Sequence, residues 1–128
     1  MNNSVIDTRA LTIGLACLIL SPATANAQDD ATSPLGDFTS QIDVGSPALK
    51  GTTVYDPNRQ SYLLSGAGEN MWFDQDEFHF VYKQMKGDFI LQARAQFIGE
   101  GVNPHRKLGW MVRSSLDTDS PHINAVVH

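Results

Sequence analysis

The run Asp74-Gln75-Asp76-Glu77-Phe78-His79 gathers three carboxylates and an imidazole within six positions. Two carboxylates held about 5 Å apart can act as nucleophile and acid in retaining glycoside hydrolysis. Alternate residues of a strand share a face, so Asp76 would lie beside Phe78 and Phe80. The plainer reading is a solvated turn that leads into a strand. Asp74-x-Asp76 also offers the clustered oxygens that calcium favours, but no EF-hand loop follows. His79, His105, His122 and His128 lack the i, i+4 spacing of a zinc helix. There is no Gly-x-Ser-x-Gly, and Gly99-x-Gly101 lacks the strand-to-helix context of a phosphate loop. No catalytic residue, metal or other cofactor is assigned, calcium being the one ion the acidic run could help to hold.

A second constellation is broader. Glu77, His79 and Lys83 fall on one face of an alternating segment, and Gln92, Arg94 and Gln96 on one face of the next. Met111 and Arg113 join them if a later strand pairs in register. Guanidinium and amide groups donate in fixed forks that suit several hydroxyls or a carboxylated sugar. The alternative is an ordinary solvated face with cross-strand pairs such as Glu77–Arg94. Trp72 follows a glycine-containing loop and can stack on a ring, whereas Trp110 alternates with Leu108 and Val112 and belongs in a core. The candidate ligand-binding set is therefore Trp72, Glu77, His79, Gln92, Arg94 and Arg113.

These residues need strands to position them. Phe78, Phe80 and Tyr82 alternate with polar neighbours, as do Phe89, Leu91, Ala93, Ala95 and Phe97, with Lys86-Gly87-Asp88 between the two series. Asp76 to Ile98 thus reads as an antiparallel hairpin, its aromatic face inward. Gly51 to Ser65 reads as a second hairpin around the turn Asp56-Pro57-Asn58-Arg59. Further strands are expected over Phe38–Val44, Lys107–Ser114 and His122–His128, the last pair separated by the turn residues of Leu116–Pro121. No segment has a helical period. The pattern predicts an all-β fold, an antiparallel β-sandwich.

The start of the chain carries a different signal. A polar n-region ends at Arg9, an apolar h-region spans Ala10–Leu20, and Ser21-Pro22 leads to Ala25-Asn26-Ala27. This is the layout of a secretory signal peptide. Residues 1–27 are set apart from the fold, 28–37 read as a flexible leader, and 38–128 as the sandwich domain. Cys17, the one cysteine, would leave with the signal, so the mature chain would have no disulfide, Cys nucleophile or Cys-based zinc site. The net charge of −5 survives, because the removed part holds one Asp and one Arg. A mildly acidic chain with no basic cluster is poorly suited to nucleic acid. No later segment is apolar enough for a spanning helix. The expected product is extracytoplasmic, either periplasmic or secreted.

An ordered series of motifs carries a resemblance. Gly66-Ala67-Gly68 to Trp72 is followed by Asp76-x-Phe78-His79-Phe80-Val81-Tyr82 and by Gly87-Asp88-Phe89. Gly109-Trp110-Met111-Val112-Arg113-Ser114-Ser115-Leu116-Asp117 and Ser120-Pro121-His122 complete it. Over roughly Val44 to His128 this resembles the concanavalin A-like lectin/glucanase jelly rolls, in the version found near the N-terminus of exported TolB-like (biopolymer transporter Tol-like) bacterial proteins. The resemblance implies a jelly-roll sandwich that binds a glycan or a partner protein. It also implies a β-propeller following in the full-length protein. The jelly-roll glucanases carry Glu-x-Asp-x-x-Glu on a strand, and the run from Asp74 departs from it at both outer positions.

The expected function is a non-catalytic ligand-binding module. A glycoside hydrolase of the glucanase type and a purely structural domain are the alternatives. Val126-Val127-His128 stands in mid-strand without a cap or closing turn. The sandwich is therefore expected to be a fragment truncated at its C-terminus, since such a strand would leave an open edge.

Overall fold

A computed structural model of the chain describes the backbone of residues 2–7 and the full residues 33–128. Among the described residues the strands are β1 (Asn2–Asp7), β2 (Ser40–Val44), β3 (Thr52–Asp56), β4 (Ser61–Gly66), β5 (Phe78–Tyr82), β6 (Arg94–Ile98), β7 (Leu108–Arg113) and β8 (His122–Val127). All pairings are antiparallel. They form a four-stranded sheet in the order β3-β4-β1-β6 and two-stranded sheets β2-β5 and β7-β8. There is no helix among the described residues, and so none long and apolar enough to cross a membrane.

The expected second hairpin forms as β3 and β4, with Asp56 opposite Ser61. The Asp56 carboxylate accepts from the backbone N–H groups of Asn58 and Arg59, an Asx-type cap on the turn. Alternation then sorts the side chains. Thr53, Tyr55, Tyr62 and Leu64 turn inward, while Val54 and Leu63 face out.

The core draws on all three sheets. Buried Phe38, Tyr62, Val81 and Leu108 meet Leu35, Tyr55, Leu64, Ala93, Ala95, Phe97 and Trp110. Phe38 stands edge-on to Tyr62, with ring centroids 5.2 Å apart, and Tyr55 lies 4.6 Å from Tyr62 on the other side. Such aromatic pairs add about 0.5–1.5 kcal/mol beyond their buried area. The Tyr62 hydroxyl accepts from the backbone N–H of Asp37 at 2.7 Å. Residues 33–37, the end of the expected leader, are therefore a turn held against the core, with Leu35 packed on it.

The hairpin expected over Asp76–Ile98 does not form. β5 pairs with β2, β6 pairs with β1, and the connection between them runs without strand structure over residues 83–93. The orientation of β5 is also the reverse of the expected one. His79 and Val81 face inward, while Phe78, Phe80 and Tyr82 line the opposite, partly exposed face, Phe80 and Tyr82 stacked at 5.5 Å. The reason is chemical. An imidazole can replace a ring in the interior when both its nitrogens find partners, and those of His79 do. In β6 the alternation holds as read, with Ala95 and Phe97 inward and Arg94 and Gln96 outward.

Asn2–Asp7, which the sequence assigns to the polar start of a signal peptide, is the strand between β4 and β6. The h-region Ala10–Leu20, Cys17 and the site at Ala25-Asn26-Ala27 lie outside the described residues.

Candidate functional site

Two carboxylates, the part-buried Asp43 and the buried Asp76, organise the polar interior. Asp43 on β2 faces His79 across the pair with β5. Its Oδ1 lies 2.7 Å from His79 Nδ1, and both of its oxygens accept from the Gly51 N–H at 3.1 Å. On the far side of the ring, Nε2 lies 3.0 Å from the Thr53 hydroxyl, which can donate to it when Nδ1–H donates to the carboxylate. Thr53 N–H in turn donates to the Gln41 side chain at 2.9 Å. The order carboxylate, imidazole, hydroxyl matches that of a hydrolase triad, but the environment differs. Thr53 and His79 are buried, and Thr53 sits mid-strand rather than on an exposed turn. The network ties the β2-β5 sheet to β3. Gly51 permits it, because a Cβ there would collide with the His79 ring.

Asp76 is the second carboxylate, with 3% of its surface exposed. Its backbone N–H donates to the Thr118 carbonyl at 2.7 Å, which docks the β7–β8 connection against the start of β5. Its Oδ2 lies 3.1 Å from Arg113 Nη1 and 3.5 Å from His122 Nδ1. Arg113 is held on every side. Its Nε donates to the Ser115 carbonyl at 2.7 Å, its Nη2 donates to the Asp117 carbonyl, and Phe78 lies 5.3 Å from its Cζ. Within the same connection, Ser120 Oγ accepts from the Ser115 N–H at 2.9 Å and lies 3.2 Å from Ser114 Oγ. The Arg113–Asp76 approach is close in distance but not aligned as a hydrogen bond, so Asp76 Oδ2 is buried without one.

Above Asp76 opens a cavity of about 350 Å³, lined by Phe73, Asp74, Asp76, Thr118, Asp119, Ser120 and His122. That lies toward the small end of ligand pockets. Phe73 is 91% exposed and has φ of 121°, a left-handed conformation that costs a side-chain-bearing residue of order 1–3 kcal/mol. The exposed ring offers a flat apolar face beside the polar cavity.

The six candidate residues are dispersed. Trp72 is exposed, next to Phe73 in the chain, with Lys107 Nζ 5.9 Å from its ring. Glu77 accepts from the Glu69 N–H at 2.9 Å and helps line a second, smaller cavity of about 150 Å³ with Asn70, His105, Arg106 and Lys107. His79 is part of the Asp43 network. Gln92 and Arg94 are exposed around the start of β6, in a different sheet from β5. The Arg113 guanidinium, 2% exposed, is engaged by Asp76 and two carbonyls. The polar sheet face that was to unite them is therefore not assembled, since it required β5 and β6 to be neighbours. Asp74 and Asp76 do share the cavity. Phe73, Thr118, Asp119, Ser120 and His122 went unrecognised, although the turn run from Ser115 to Pro121 is dense in hydroxyls and carboxylates. Among the described residues no group of three His, Cys, Asp or Glu is placed to hold a metal ion.

No family model, curated protein or solved structure matches the chain.

Proposed function

We propose that the chain is a non-catalytic binding module whose ligand is a hydroxyl-rich molecule, a glycan in the first instance, held in the cavity above Asp76. The observation that carries the reading is Phe73, exposed and conformationally strained at the edge of a cavity whose other walls are carboxylates, hydroxyls and an imidazole. Apolar ring faces stack on the aromatic side chain, and the surrounding oxygens accept from sugar hydroxyls. The Asp76 wall is held in place by Arg113 and His122, which keeps the cavity formed.

In this reading the three antiparallel sheets around one core are parts of a β-sandwich of the jelly-roll, concanavalin A-like type, and the protein is exported. A glycan-array screen followed by NMR titration of the full chain tests the function. The reading requires chemical-shift changes centred on Phe73, Thr118 and Ser120, and loss of binding in Phe73→Ala. Saturating oligosaccharide without shifts at those positions would refute it. Hydrolysis of a polysaccharide that disappears in Asp74→Asn or Asp119→Asn would turn the module into an enzyme.

A further inference from the structure

We infer that the gap between β4 and β6 is a strand-acceptor slot: the chain's own Asn2–Asp7 fills it until export removes that segment, and an extended strand of a partner polypeptide fills it afterwards. The slot lies apart from the cavity above Asp76 and depends only on the export part of the reading above.

The first observation is topological. β1 pairs with β4 along all of Asn2–Asp7 and with β6 along residues 3–7. Both pairings are antiparallel, so β4 and β6 run parallel to each other, about 9.5 Å apart with one strand between them. No other described strand lies in that gap, and β6 has no neighbour in its sheet besides β1.

The second observation is what the strand covers. The register sets Ser4 in line with Leu64 and Phe97, and Ile6 in line with Tyr62 and Ala95. Those four flanking residues belong to the core, and Tyr62 has no exposed surface. Loss of β1 would leave two facing rows of backbone N–H and C=O groups and open the core between them. One such edge already templates the addition of a strand. Here two edges face each other, so an incoming strand is bonded on both sides.

The third observation is in the sequence. Residues 8–32 separate β1 from the rest of the fold, and they carry the cleavage pattern Ala25-Asn26-Ala27. Cleavage there disconnects β1 from the domain. While tethered, β1 competes at the high effective concentration of an intramolecular partner; once cut, it can exchange. The register also states the chemistry of its replacement. That strand runs antiparallel to β4 and β6 and carries small or aliphatic residues where Ser4 and Ile6 stand. It carries an acid where Asp7 stands opposite the exposed Arg94, since opposite charges across a strand pair attract.

The test starts from the purified full chain, before and after signal peptidase treatment and removal of the released segment. Amide hydrogen exchange reads β4 and β6, and fluorescence anisotropy reads binding of a labelled synthetic peptide, Asn-Asn-Ser-Val-Ile-Asp. Processing should speed exchange roughly tenfold in both strands, and added peptide should restore protection. The unprocessed chain should bind the peptide roughly tenfold more weakly than the processed one. A Val5→Pro peptide should not bind, because proline does not serve in a central strand. If the processed chain unfolds, the peptide should refold it, as read by circular dichroism. No cleavage between β1 and residue 33, unchanged protection once the segment is gone, or a peptide that neither binds nor refolds the processed chain overturns the inference. So does equal binding of the Val5→Pro form. A processed chain that dimerises and excludes the peptide gives the slot to a second copy and overturns the partner. The glycan titration at Phe73 is read separately, so the binding reading stands or fails on its own.

Discussion

Asp43 is part-buried and Asp76 buried, each within reach of a histidine, yet they have different surroundings. Asp43 is saturated. His79 and the Gly51 N–H fill its oxygens, and the far side of the imidazole is closed by Thr53. Asp76 has a full cationic partner in Arg113 and still presents a buried oxygen with no hydrogen bond to the wall of a cavity. The first arrangement resembles catalytic machinery in composition and acts as a stitch between sheets. The second is a buried ion pair that forms part of the wall of a cavity. Composition alone does not separate the two; what separates them is whether every lone pair and N–H is already used.

The comparison can be broken most sharply at Asp76. Asp76→Ala would strand the buried Arg113 charge, and urea denaturation should show a loss of about 3–5 kcal/mol. A loss below 1 kcal/mol would mean that the Arg113–Asp76 pair does not organise this end of the fold. At the other carboxylate, Gly51→Ala should displace the His79 ring and cost about 1–3 kcal/mol by the same measurement. It should leave oligosaccharide affinity unaltered, since nothing in the stitch reaches the cavity. Next, Phe73→Gly should raise stability by about 1 kcal/mol through relief of its left-handed backbone, while weakening the ligand. A destabilised Phe73→Gly would show that the ring supports the fold instead.

The smallest effect is expected in alkali and belongs to the closed half of the molecule. Burial pushes the Tyr62 phenol above its ordinary value of 10.0, with the Asp37 N–H bond opposing. The unfolded chain therefore releases this proton first. The contribution is present below pH 10 and is lost as pH climbs from there through the raised folded value. Tyr62→Phe should flatten the fall in melting temperature over that range, although it removes the Asp37 bond at every pH.

Much of the strand layout could be read from the residues. The β3–β4 hairpin follows from Asp56-Pro57-Asn58-Arg59 between two β-prone segments, and β7 and β8 from alternation around a turn-rich stretch. Alternation states which residues share a face. It does not state which face turns inward or which strand lies alongside. The inward turn of β5 depends on Asp43 and Thr53, 36 and 26 positions from His79, and no local pattern carries that information. The same limit hid the cavity. Asp74 and Asp76 stand out in the chain, but Thr118 and Ser120 reach them only because the Asp76 N–H binds the Thr118 carbonyl.

The placement of the two tryptophans supplies a built-in optical gauge. Trp110 packs against the core, 6.3 Å from Phe38, whereas Trp72 is exposed and precedes Phe73 at the cavity edge. Their emission should differ in wavelength and in accessibility to iodide. A ligand covering Phe73 would shield the outer indole and leave the inner one as an internal standard, so that occupancy could be followed in a cuvette without a label.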